Sequence, residues 1–141
     1  MSRGGRPKNQ IKPEKACTQC GVIKPLSDYY KAHKTYDGRN PHCKKCDIER
    51  NYRYRAALRE EVGAFKTEQG CQMCGIKGLP ACCYDLHHRD PSTKEFDIGK
   101  NLASLRAERI WKEVAKCDVI CANCHRILTW QESNEKWGRE V

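Results

Sequence analysis

Eight of the eleven cysteines in this chain fall into four C-x-x-C pairs: Cys17/Cys20, Cys43/Cys46, Cys71/Cys74 and Cys121/Cys124. Two residues between thiols is the spacing of a metal knuckle, and four thiolates make the soft tetrahedral set that a structural zinc prefers. Paired disulfides are the alternative. An odd cysteine total and the lack of an apolar run after Met1, which would mark export to an oxidising compartment, weigh towards metal. Two clamps are expected, one from Cys17, Cys20, Cys43 and Cys46 and one from Cys71, Cys74, Cys121 and Cys124, each closed by a structural Zn²⁺. Such staples have a purpose: with 38% hydrophobic and 32% charged residues, no large apolar core is available. No stretch approaches transmembrane length, so the reading is a soluble, cytoplasmic protein with no membrane partner.

The formal net charge is +9, and its placement is more telling than its size. Residues 1–60 hold 15 Lys/Arg against 6 Asp/Glu, whereas residues 61–141 hold 12 of each. The whole surplus lies in the first part. Two four-thiolate zinc sites would lower the total to roughly +5, still a one-sided excess that suits a polyanion such as nucleic acid better than a merely solvated surface.

Residues 1–16 carry five basic residues, two glycines and two prolines without any apolar period, and read as a disordered basic arm. Gly5-Arg6-Pro7-Lys8 resembles the core of an AT-hook, and a plain tail drawn to phosphates is the simpler account of Arg6 and Lys8. Residues 17–46 form a first small unit, with strand ends around Lys24–Tyr30 and a hairpin turn at Asp37-Gly38-Arg39. His33 and His42 are rival metal ligands there, although single histidines in polar loops are usually solvated. Residues 47–69 read as a connecting helix with an apolar stripe at Tyr54, Leu58, Val62 and Phe65. Arg50, Arg53, Arg55 and Arg59 crowd its N-terminal turns, interleaved with Tyr52 and Tyr54, and Lys44 and Lys45 stand just before it, as DNA-phosphate contacts along a groove or as a charged solvent face.

Residues 70–141 form a second unit, with Gly70 ending the helix. Residues 82–88 should be a short strand broken by Asp90-Pro91-Ser92-Thr93, and Asp118-Val119-Ile120 a second strand paired to it by the clamp. Between them a helix starts at Ser104, its N-cap, with Ile110, Trp111 and Val114 facing inwards. A last helix runs from Ala122 to about Trp137 with His125 on its first turn. Cys82, Cys83 and Cys117 are expected to be small buried side chains, and Trp111, Trp130 and Trp137 to be core and docking residues. Arg89 and Arg126 flank the histidines, either to hold a phosphate or as plain surface.

The order Cys71-x-x-Cys74, Leu86-His87-His88, Cys121-Ala122-Asn123-Cys124-His125 resembles the HNH endonuclease superfamily, the ββα-metal fold, in its zinc-clamped phage and endonuclease VII-like branch. The likeness covers roughly residues 70–130, and residues 17–46 resemble the zinc ribbons that precede phage and bacterial nucleases. It implies a small, zinc-stapled α+β fold made of an N-terminal zinc ribbon, a connecting helix and an HNH nuclease domain. By position, it makes His88 the general base, and His87 and His125 ligands of a catalytic divalent ion. With so few protein ligands, that ion would be Mg²⁺ or Mn²⁺. It implies a DNA endonuclease leaving 5′-phosphate and 3′-hydroxyl ends, in phage-infected or bacterial cells, as a monomer or a homodimer. The chemistry is coherent: an imidazole takes a proton from water near neutral pH, and a metal stabilises charge on the phosphorane.

Two positions depart from the pattern. The family's central Asn position is held by Lys116, leaving Asn123 to orient the base or merely to cap the knuckle turn. Thr129 stands where many relatives have a further histidine. Adjacent residues on a regular strand face opposite ways, so His87 and His88 serve one site only if the strand ends or kinks there. The rival readings are a junction-resolving enzyme on branched DNA, a non-catalytic zinc-ribbon DNA-binding protein, and a zinc-stabilised protein-interaction adaptor.

Overall fold

The computed structural model describes residues 12–137. The chain divides into two compact units, residues 1–54 and residues 55–141. Arg6, Lys8 and most of the expected basic arm lie outside the described residues.

In the first unit, β1 (Glu14–Ala16) pairs antiparallel with β2 (Ile23–Pro25), and the first knuckle forms the turn between them. The expected arm therefore ends before residue 14. Its last residues are held by that ladder, by the Tyr29 hydroxyl donating to Lys15 O at 2.8 Å, and by an ion pair of Lys15 with Asp37 at 2.6 Å. Next come β3 (Tyr29–Lys31) and β4 (Arg39–Cys43), an antiparallel pair closed at the expected hairpin turn. The core of this unit is Tyr29 with Cys17, Cys43 and Cys46, three sulfurs packed around one ring. A core that small can hold a fold only with further cross-linking.

α1 (Lys44–Gln69) starts directly after Cys43, three residues earlier than the periodicity suggests, and so puts Cys46 on its first turn. The helix ends at Gly70, as expected: its amide donates to Lys66 O at 3.0 Å and its φ is +69°. A Cβ there would fall 2.9 Å from Ile76 O, so any other residue meets both strain and a backbone clash. The apolar stripe is shorter than the sequence suggests. Leu58 and Val62 are buried and Phe65 packs beside them, but Tyr54 remains 48% exposed. Tyr54 is the last residue of the first unit, and the core that the stripe faces begins one turn later.

The second unit is built on β5 (Tyr84–His88) and β6 (Cys117–Cys121), antiparallel in unbroken register from Tyr84↔Cys121 to His88↔Cys117. Residues 82 and 83, expected in the strand, form a 3-10 turn instead. After β5, Asp90 accepts from the Ser92 amide at 2.9 Å and starts a further 3-10 turn, Pro91–Thr93, so the chain leaves the strand where expected. Two short helices follow, α2 (Ile98–Asn101) and α3 (Ala107–Val114). Ser104 is not the N-cap of α3. Arg106 takes that place without a side-chain cap, and the Ser104 hydroxyl turns back to Asn101. α4 (Ala122–Lys136) completes the unit.

Leu58, Val62, Ile98, Ile110, Val114 and Cys117 form one buried cluster, and Tyr84, Val119 and Ile120 with Cys71, Cys121 and Cys124 form another. Phe65 and Leu86 pack against both. Each fully buried aliphatic side chain contributes roughly 1.5–3 kcal/mol. Of the three tryptophans only Trp111 joins this packing, edge-on to Phe65, while Trp130 and Trp137 are exposed. The remaining cysteines differ too: Cys117 is buried as expected, Cys82 is exposed and Cys83 only half-buried. Among the described residues no helix is long and apolar enough to cross a membrane.

The helix register has a direct consequence. Leu58→Ala should lower unfolding free energy by about 2–5 kcal/mol in urea titrations. Ile48→Ala, on an exposed turn of the same helix, should stay within about 0.5 kcal/mol. Equal losses at the two positions would contradict this packing.

Candidate functional site

Both cysteine quartets assemble as their spacing suggests. In each of the two sets, Cys17/Cys20/Cys43/Cys46 and Cys71/Cys74/Cys121/Cys124, all four sulfurs lie within 4.8 Å of one another. Four ligands at the usual zinc–sulfur distance of about 2.3 Å stand roughly 3.8 Å apart, and Cys74 Sγ is 3.9 Å from Cys121 Sγ. Local backbone prepares them: the Cys74 amide donates to Cys71 Sγ, and the Cys124 amide to Cys121 Sγ at the start of α4. Burial disfavours the Cys17 thiolate, but amides of Cys43, Cys20 and Gln19 outweigh it and bring that thiol down to about 6. Cys71 is lowered to about 6 in the same way, against its burial, by the amides of Cys74, Cys121 and Met73. The last protons are held hard. Burial and neighbouring sulfurs push Cys46 up to about 12, and Cys121 chiefly, with burial, does the same for Cys124. Four thiolates cannot coexist so closely without a cation, and either quartet could hold a structural ion such as zinc.

The second quartet also sets up the histidines. β6 ends in Cys121 and α4 begins at Ala122, so closing the clamp fixes α4 beside β5. His125 Nδ1 then lies 3.0 Å from Asp85 Oδ2, and the rings of His87 and His125 are 5.4 Å apart and nearly perpendicular. Asp85 and His87 alternate along β5 on one face, while Tyr84, Leu86 and His88 occupy the other. The adjacent histidines do diverge, then. Both nevertheless line one cleft of about 520 Å³, because the strand ends at His88 and the cleft runs past that end. Asp85, His125, Lys66, Lys94 and Lys100 line it too. Lys66 is tethered to Tyr84 O at 2.6 Å, and Asp97 pairs with Lys94 and Lys100, which hold its carboxyl below the usual range.

His88 is only 10% exposed, and its Nε2 lies 2.8 Å from Oε1 of Glu113, whose side chain is 1% exposed. Glu113 stands on the inward stripe of α3 between Ile110 and Val114, a position at which a lone charge would be prohibitive. It is amply satisfied: Oε1 also accepts from the Glu95 amide at 2.8 Å, and Oε2 from the Lys116 ammonium at 2.8 Å. Burial alone would raise its pKa, but Lys116, the Glu95 amide and His88 together lower it from 4.5 to about 2. The resulting stabilisation is complete above the ordinary carboxylate range and is lost as pH falls through about 2. Lys116 also donates to Thr93 O and to Glu95, tying the loop after β5 to α3.

Other sequence-derived candidates are placed elsewhere. Asn123 is exposed on the first turn of α4 and is not among the residues that line the cleft. The Arg89 guanidinium is spent on Cys117 O, Ala115 O and Asp118, which leaves it unsuited to hold a phosphate. Arg126 lines a second groove with His125 and Trp130. Lys44, Lys45, Arg50, Arg53, Arg55 and Arg59 are all exposed along α1, with Arg50 paired to Asp47. Sequence reasoning passed over Asp85 and Glu113. Asp85 is two residues before His87, hence on its strand face, and Glu113 sits three residues after buried Ile110 on a helical stripe.

No protein-family model, no curated protein and no solved structure matches this chain. Its site must be read from its own geometry.

The quartets predict two metal ions per chain by native mass spectrometry, each bound with release of thiol protons. Cys74→Ser should lower that to one, with the first quartet still loaded. Masses fitting a metal-free chain with disulfides would refute the metal reading.

Proposed function

We propose that this chain is a metal-dependent DNA endonuclease of the HNH type. The observation that carries the reading is one cleft, about 520 Å³ in volume, lined together by His87 and His88 from the end of β5 and by His125 from the first turn of α4. A binding module or an adaptor has no need of such a constellation.

The donor set fits a divalent ion. A metal-bound imidazole usually gives its second nitrogen to a carboxylate. His125 Nδ1 meets Asp85 at 3.0 Å, and His87 Nε2 approaches Glu132 at 3.6 Å. Each ring thus keeps its other nitrogen for a ligand bond, Nε2 of His125 and Nδ1 of His87. A Mg²⁺ or Mn²⁺ held there would supply Lewis-acid stabilisation of charge on the scissile phosphate and the leaving oxygen. His88 would take the proton from the attacking water, giving 5′-phosphate and 3′-hydroxyl ends. Lys66, Lys94 and Lys100 offer the incoming phosphates positive charge, and the exposed arginines of α1 supply affinity for the backbone.

A supercoiled-plasmid assay with Mg²⁺ or Mn²⁺ tests the chemistry. The wild type should give nicked or linear product, and His88→Ala should lose at least about 100-fold in rate while binding DNA almost as well. Binding without cleavage, across several metals and branched substrates, would instead favour a non-catalytic zinc-ribbon DNA-binding protein.

Affinity has its own test. Replacing Arg53, Arg55 and Arg59 by Ala should weaken binding to any sequence and flatten the plot of log affinity against log salt by about 1 per phosphate contact removed. An unchanged slope would show that α1 does not face DNA.

A further inference from the structure

We propose that Glu113 is the positioning residue of the cleft: its buried carboxylate holds His88 in the tautomer protonated on Nε2, so that Nδ1 is the atom that takes the proton. This deepens, and rests on, the reading of His88 as a general base.

The hydrogen bonds decide the tautomer. Oε1 of Glu113 already accepts from the Glu95 amide, and Oε2 from the Lys116 ammonium. A carboxylate so engaged is an acceptor at both oxygens, so the 2.8 Å contact with His88 Nε2 requires N–H on the imidazole. In a neutral ring that leaves Nδ1 with its lone pair. Among the described residues Nδ1 of His88 has no hydrogen-bond partner, and no buried side-chain nitrogen lacks one, so Nδ1 must reach solvent. His88 lines the cleft, and we take that solvent to be the cleft's.

The carboxylate is itself held from three sides. α3 presents it from the inward stripe, the loop after β5 supplies the Glu95 amide, and Lys116 clamps that loop to it through Thr93 O and Glu95. Such a bracket fixes the plane of the ring as well as its proton, which a surface carboxylate could not do. Lys116 occupies the position at which the resemblance expects Asn, and Asn123 is exposed and does not line the cleft. The orienting task thereby passes to the Glu113–Lys116 pair.

Long-range ¹H–¹⁵N correlation on the zinc-loaded wild type, without Mg²⁺, reads the tautomer directly, and His88→Gln identifies the His88 signals among those of the five histidines. The expected result is a pyrrole-type Nε2 and a pyridine-type Nδ1. The reverse pattern overturns the proposal whether or not the protein cleaves DNA. In Glu113→Gln the His88 signals should move towards a mixed or inverted tautomer. The cleavage rate at saturating DNA should fall at least about 30-fold with KM within about twofold, as expected when a base is disoriented but substrate binding is not. Full activity in Glu113→Gln overturns the positioning role, and so does a loss that merely follows zinc loss or a smaller folded fraction. If His88→Ala cleaves like the wild type, the base assignment fails instead, and the wild-type tautomer result stands apart from it.

Discussion

Four thiols within 4.8 Å of one another, twice over in one short chain, are an electrostatic problem before they are a scaffold. Backbone amides ease the first proton off each quartet, bringing Cys17 and Cys71 to about 6, while burial and neighbouring sulfurs hold the last on Cys46 and Cys124 near 12. A divalent soft cation would resolve the conflict, and folding and metal capture would then be one equilibrium. The remaining architecture depends on this. In the first unit a single buried tyrosine and three sulfurs serve as the core. In the second, the quartet joins the knuckle after α1 to the junction of β6 and α4.

From that junction the cleft follows. β6 is held in register with β5 over five residue pairs, so the side chains of β5 have no freedom to choose a face. Asp85 and His87 are delivered to His125, and His88 to the opposite side, where an apolar environment would reject it without a partner. Glu113 is that partner. It is tolerated in the core only because His88, Lys116 and the Glu95 amide satisfy it. The arrangement divides the histidines into a pair with outward carboxylates and a single ring with a buried one, a division of environment that suits the proposed roles of ligand and base.

Much of this was legible in the chain itself. C-x-x-C spacing, Gly70 at a helix end, Asp90-Pro91 at a strand end and the apolar stripe on α1 are local signals, and each corresponds to what local geometry permits. Three of the misreadings share one cause. Tyr54 continues a helical period beyond the core that the period was meant to face. Trp130 and Trp137 are apolar by composition but exposed, and Cys82 is exposed too. Periodicity states which residues share a face; it does not state where the neighbouring surface stops.

The donors, their pairing into quartets, the long connecting helix and the main strand–helix–strand–helix order of the second unit follow from local signals, because thiol spacing and turn residues act over a few positions; β1 and α2 do not. Which histidine meets which carboxylate is set by the packing of elements distant in sequence. His88 and Glu113 are 25 residues apart, and their contact depends on how α3 packs over the end of a strand. The strand's period of two then separated His87 from His88, and the strand's end returned both to one cleft. No local pattern encodes that meeting, since it arises from the register of β5 against β6 and the depth at which α3 is buried.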